Sequence, residues 1–197
     1  MPVWSWFFII AGFAAVVLIV LIGVAWARRR RATAQLKARF GPEYAHTVDD
    51  IGDQRAAENE LADRAQRRDE LDIHPLTPEQ HDKFAARWRS VQTAFIDNPS
   101  AALNDAEHLV TEVMHEQGYP VEDFDQRAAD VSVDHPTVVG SYRRAHRIYL
   151  DQHNGEVDTE HQRDAFVHYR ALFEQLLEVP TGAEPTTDTH KPEESRS

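Results

Sequence analysis

From Val3 to Ala27 the chain is apolar almost without interruption, and Arg28, Arg29, Arg30 and Arg31 follow at once. This run constrains the fold more than any other feature. Eighteen or more apolar residues are enough for a helix to cross the roughly 30 Å hydrocarbon core of a bilayer. Ser5, Gly12 and Gly23 are tolerated because a helix satisfies its own backbone. Trp4 and Trp6 at one end and Trp26 at the other suit the headgroup level. No Lys or Arg precedes the run, so the positive-inside rule places the N-terminus outside and residues 28–197 in the cytoplasm. Ala25-Trp26-Ala27 has the form of a signal-peptide cleavage site. A signal peptide, however, carries its positive charge before the run, and its apolar region spans about 7–15 residues. The sequence therefore predicts an uncleaved membrane anchor.

Charge divides the rest. Residues 28–39 hold six bases (Arg28, Arg29, Arg30, Arg31, Lys37 and Arg39) and no acid. From residue 40 on, the remaining 15 bases face all 33 acids, a net charge of −18. The basic segment, Arg28 to Arg31 above all, is expected to contact anionic lipid headgroups. The acidic remainder is repelled from nucleic acid. There is no cysteine, which excludes disulfides, thiol catalysis and cysteine metal sites.

Helical periodicity recurs along the chain and strand alternation does not, so the fold class is all-α. Residues 1–31 form the anchor with its basic stop, and residues 32–72 a charged helical stalk interrupted at Phe40-Gly41-Pro42. In the stalk Glu60 with Arg64, and Asp63 with Arg67, stand at the favourable i,i+4 spacing. From Asp49 to Asp72 the large apolar residues, Ile51, Leu61 and Leu71, are too sparse for a heptad seam, so a solvated helix leaning on a bundle is expected. Thr77-Pro78-Glu79-Gln80 reads as a capping box opening a helix. Phe84, Trp88, Val91 and Phe95 line one face of that helix. Asn98-Pro99 starts another, with Leu103, Ala106, Val110 and Val113 as its buried stripe. Gly118-Tyr119-Pro120 turns the chain. Val121, Phe124, Ala128 and Val131 give a short helix, Val138, Tyr142, Ala145 and Tyr149 a fourth stripe, and Phe166, Tyr169, Phe173, Leu176 and Leu177 a fifth. Residues 73–179 thus predict a compact bundle of about five helices. Residues 180–197, polar and rich in Pro, Thr and Glu, predict a disordered tail.

Arg39-Phe40-Gly41-Pro42-Glu43-Tyr44, followed in order by Arg55-Ala56-Ala57-Glu58, Leu76-Thr77, Arg87-Trp88, Gly118-Tyr119-Pro120-Val121 and Ser132-Val133-Asp134-His135, forms a set of landmarks. The set resembles a family of uncharacterised bacterial membrane or secreted proteins, largely actinobacterial. The resemblance covers about residues 36–150. It implies a shared helical domain and brings no activity, cofactor or catalytic residue.

Eleven histidines raise the question of a metal. Glu112-Val113-Met114-His115 has the Glu-x-x-His form of carboxylate-bridged bundles, but its only partner copy, Glu43 to His46, lies in the stalk. His108 with His115, His146 with His153, and His161 with His168 are two turns apart, about 10 Å, too far to share one ion. Phosphate loops and nucleophile elbows are absent. The best candidate surface is the segment from Gly118 to His135. Asp134 and His135 form a possible acid–imidazole pair, with Tyr119 before them and Arg143 and His146 on the next helix. The plainer role for Asp134 is to cap a helix beginning at Pro136. Arg87 and Trp88 are a candidate ligand clamp, although Trp88 also fits the buried stripe.

The sequence thus predicts a single-pass membrane protein with a cytoplasmic helical domain. Its expected role is non-catalytic, recruiting or scaffolding a protein partner, with no metal and no cofactor. The alternatives are a ligand-binding or enzymatic bundle using the Asp134/His135/His146 region, and an exported protein facing the envelope.

Overall fold

The computed structural model describes residues 3–155 and 157–178, with side chains from Val17 onward. Among the described residues the chain is all-α, with eight helices and no strand. The expected tail lies outside them.

Helix α1 (Val3–Phe40) runs without a break from the apolar run through the four arginines. Val17 to Leu21, Ile22, Val24 and Trp26 are all exposed, so nothing else in the described chain covers them. Among the described residues no helix is long and apolar enough to cross a membrane. The larger part of the expected span, Val3 to Val16, has its side chains outside the described set. The far end of α1 is different: Phe40 is fully buried.

Gly41, with φ +47°, then reverses the chain, and Pro42 opens α2 (Pro42–Ile51). Gly52 closes α2 in the left-handed region, and Asp53 caps α3 (Gln54–Glu70) by accepting from the Ala56 amide at 2.8 Å. These two turns gather the sparse apolar residues of the segment. Phe40, Tyr44, Leu61 and Ala65 form a small core of their own with Val133, which belongs to α6 (Phe124–Asp134). The expectation of a solvated stalk is thereby modified, since Leu61 is fully buried. Of the two expected i,i+4 pairs, Arg64 reaches Glu60 at 2.8 Å, while Arg67 also turns toward Glu60, at 3.9 Å.

Residues 73–178 hold five helices: α4 (Pro78–Asp97), α5 (Pro99–Glu116), α6, α7 (Val139–His153) and α8 (Thr159–Leu177). The capping box at Thr77 and Gln80 forms with both of its hydrogen bonds, and Asn98 caps α5 through the Ala101 amide. The main core is built from α4, α5, α7 and α8. Trp88 stacks on Phe166 and Phe173, with ring centroids 5.2 and 4.5 Å away. Leu103, Ala106, Val110 and Val113 of α5 are all fully buried. On α7 the stripe is Val139, Tyr142, Ala145 and Ile148, with Val138 and Tyr149 at its margins. Each apolar group removed from water contributes in proportion to area, about 25 cal/mol per Å².

The strap from Leu71 to Thr77 joins the two parts and crosses the end of α5. There Gly118 adopts φ +96°, and a Cβ at that position would lie 2.3 Å from the Asp72 carbonyl oxygen. Only glycine permits this approach. The His74 amide then donates to the Gln117 carbonyl at 3.0 Å, which fixes the strap.

Candidate functional site

The structure distributes the expected site residues over five places. One group assembles at the junction of strap and bundle. Tyr119, Asp134 and His135 line a cleft of about 420 Å³ together with Arg68, His74 and Glu178. Asp134 is the last residue of α6, and α7 begins only at Val139 with no side-chain cap. The expected capping role for Asp134 is therefore corrected. Its carboxylate instead takes the Arg68 Nε–H at 2.7 and 2.9 Å and the Tyr119 hydroxyl at 2.6 Å. Burial, and then the Asp134 charge beside it, push the Tyr119 hydroxyl far above its ordinary value. That group stays a donor at any physiological pH. Burial also lowers the His135 imidazole, against the opposing pull of Asp134 and Glu178. Asp134 is thus engaged by two donors and does not serve as the acid partner of His135.

Arg143 lies elsewhere. Its two terminal nitrogens donate to the two oxygens of Glu43, both at 2.7 Å, and Arg64 reaches the same carboxylate at 3.0 Å. Glu43 is 3% exposed. A carboxylate buried to that degree is tolerated only when paired and hydrogen-bonded, and the fork geometry of arginine supplies both. Three helices, α2, α3 and α7, are clamped at this one point.

His146 occupies a third place, inside the bundle. Its ring stacks on Phe124 with centroids 3.6 Å apart, and its Nδ1 lies 3.5 Å from Glu107 Oε1. Arg127 donates to the same oxygen at 3.2 Å and to the Val121 carbonyl at 3.0 Å. Burial raises the Glu107 carboxyl, but His146 and Arg127 outweigh it and hold the group below the usual carboxylate range. The hydroxyls of Tyr142 and Tyr169 close this cluster without a protein hydrogen-bond partner. Asp134, His135 and His146 therefore do not converge on one pocket, because α7 carries His146 toward α5.

Arg87 and Trp88 face opposite ways. Trp88 is core, while Arg87 makes a two-pronged contact with Glu112 on α5, one prong at 3.0 Å. That pairing uses the carboxylate of the Glu112/His115 motif. Among the described residues no group of three or more histidines and carboxylates could hold a metal ion.

Arg28 to Arg31 all lie on α1 and are exposed. Arg30 sits over the Trp26 ring, 3.5 Å from its centroid.

Sequence reasoning missed Glu43, Arg68, Glu107 and Arg127. Glu107 carried a usable signal: it stands on the α5 stripe, four residues after Leu103 and three before Val110. A carboxylate on a buried face demands a partner. Glu43 and Arg68 offered no comparable pattern, since their partners are 100 and 66 residues away.

Comparison with protein-family models, with curated proteins and with solved structures finds no match. The functional reading therefore stands on the chain's own residues.

Proposed function

We propose that this chain is a single-pass membrane protein whose helical domain is a non-catalytic binding module held at the cytoplasmic face. One observation carries the reading: α1 continues unbroken from the apolar run and the four arginines into Phe40, which is buried in the folded domain. No flexible linker intervenes. From Arg31 to Phe40 the helix rises about 14 Å, so the buried core around Phe40 would stand roughly that far from the headgroups, with the start of α3 folded back toward them. Such a mount fixes both height and orientation and concentrates the domain for partners in the same membrane. The exposed apolar side chains from Val17 to Trp26 have no covering element among the described residues, which fits a lipid environment. The charge step from six bases to a net −18 fits a cytoplasmic domain held off an anionic surface. The binding role is supported by the way three carboxylates between helices are used. Glu43, Glu107 and Asp134 are each held by arginine and tie helices together, as a fixed scaffold requires.

The reading is tested in native membranes by alkaline carbonate extraction and a reporter fused at the C-terminus. The expected result is a carbonate-resistant protein with a cytoplasmic reporter. A soluble protein, or a reporter active outside the membrane, would overturn it. For the binding role, cross-linking in those membranes is compared between the full chain and residues 1–40. The same products from both would contradict a partner-binding domain.

A further inference from the structure

A concavity lined by three arginines lies where α1 leaves the apolar run. Trp26, Arg29, Arg30 and Thr33 on α1 face Arg55 and Asn59 on α3 across an open cleft of about 980 Å³. Asp53 and Glu58 also border it, so three guanidinium groups stand against two carboxylates, each of which accepts from neutral donors of the protein. Asp53 accepts the Ala56 amide at 2.8 Å. Glu58 Oε1 accepts from the Thr33 hydroxyl at 3.0 Å, and from the Tyr44 hydroxyl and Gln54 Nε2 at 2.8 Å each. Because Asp53 already caps α3, the helix N-terminus offers no anion site of its own. Arg29 and Arg55 form no ion pair among the described residues. Arg30 is positioned over Trp26 by a cation–π contact, which leaves the edge of its guanidinium free.

The position of Arg55 is the decisive point. A basic stop that only sets topology needs charges beside the apolar run and nothing from α3. Here the turns at Gly41 and Gly52 carry α3 back along α1, and Arg55, 24 residues beyond Arg31, arrives opposite Arg29 and Arg30. Three guanidinium groups, two of them on one helix and the third on another, thus surround one space. Guanidinium forks match phosphate oxygens bidentately, and Asn59 adds a neutral side chain able to bond hydroxyls. One wall of the cleft is Trp26, a residue that favours the headgroup level, and the exposed apolar face of α1 continues from it.

We propose that this cleft binds the phosphate of an anionic phospholipid headgroup, with the acyl chains lying along α1. The proposal rests on the membrane-anchored reading above. It goes beyond a general attraction of the basic stop, because it names a site that α3 completes.

The test uses the full chain in nanodiscs and in detergent, with phosphatidylglycerol and phosphatidylcholine of matched acyl chains as probes. Lipid retention is read by native mass spectrometry. Wild type is expected to retain phosphatidylglycerol preferentially. Arg55→Ala should lower that preference about fivefold, the worth of one cation at a headgroup. Arg55→Lys keeps the charge but loses the guanidinium fork, so it should also lower the preference, whereas diffuse attraction would leave it at the wild-type value. Arg55 is exposed, so the fold should survive its loss, which circular dichroism checks. An unchanged preference in Arg55→Ala, or a wild-type preference in Arg55→Lys, would overturn the cleft in favour of diffuse attraction. Displacement of the lipid by inorganic phosphate would make it a free-phosphate site and overturn the lipid assignment. The two readings fail separately. Release of the chain by carbonate removes the anchor and the lipid site with it, whereas a carbonate-resistant protein indifferent to Arg55 loses the cleft alone.

Discussion

The part of the molecule next to the apolar run and the bundle beyond it are held together by different forces. From Leu36 to Ala65 few large apolar residues are available, and the small core of Phe40, Tyr44 and Leu61 is completed by Val133 from α6. Ion pairs do the rest: Glu43 with Arg64 and Arg143, and Arg68 with Asp134. The bundle instead buries a continuous set of aliphatic and aromatic side chains around Trp88, Tyr142 and Tyr169. Its one deep charge cluster, at Glu107, lies between helices that already pack through apolar contact. The contrast teaches that the seam between the two parts is electrostatic and directional, while the bundle's cohesion is generic. A seam of this kind fixes orientation, which is what a domain mounted on a helix needs.

The largest effect that would break the comparison is expected at Trp88. Trp88→Ala removes a ring stacked between Phe166 and Phe173 and should cost about 3–5 kcal/mol, read by urea denaturation. A cost near zero would mean that the bundle is not held by its aromatic core. Glu43→Gln probes the other side. It leaves Arg143 and Arg64 facing a neutral amide in a mostly buried place, at about 3 kcal/mol. Hydrogen exchange should then rise in α2 and α3 and stay slow in α8. Equal loss of protection in both parts would contradict an electrostatic seam.

Acid should act in a definite sense. His135 and Glu107 both have folded-state values depressed below their ordinary ones. In the window between the two values the unfolded chain binds more protons, so stability falls as pH falls. For His135 the loss begins near pH 6.5, the ordinary histidine value, and runs down through the folded one; for Glu107 it begins near the ordinary carboxylate value of 4.5. Melting temperature measured against pH should decline from about pH 6.5, and His135→Gln should flatten the upper part of that decline. Identical profiles for the two proteins would exclude His135. The smallest effect is expected at Arg87. Its pair with Glu112 is about half exposed, and Arg87→Ala should cost less than about 1 kcal/mol, by the same denaturation measurement. A larger cost would place a structural role on a contact that solvent should screen.

Local chemistry was legible in the sequence, and long-range pairing was not. The capping box at Thr77, the cap at Asn98 and the stripe from Phe84 to Trp88 depend on residues three to seven apart, and each forms as the spacing predicts. The α7 stripe slips by one residue at its start because the corner after Asp134 extends to Val138 before the helix begins. Asp134 was misjudged for a related reason. An acid before a proline resembles an N-cap, but the same residue closes α6, and Arg68 competes for its oxygens. The stalk segment looked solvated because Ile51, Leu61 and Leu71 are ten apart, and only the reversals at Gly41 and Gly52 bring Leu61 and Ala65 against Phe40 and Tyr44. Nothing in a periodic pattern says which arginine a given carboxylate will meet, so the Glu43 clamp was invisible, and at Glu107 only the need for a partner could be read.

The rigid mounting of the domain on α1 is the central claim, and a distance measurement tests it most directly. The chain has no cysteine, so two introduced cysteines are unique labelling sites. Spin labels at Ala34→Cys on α1 and Glu174→Cys on α8, both exposed positions, are measured by pulsed electron resonance with the full chain in nanodiscs. A single narrow distance distribution, broadened when Glu43→Gln is added, is the predicted result. A broad distribution in the wild type would contradict the account, because the bundle would then swing freely about α1.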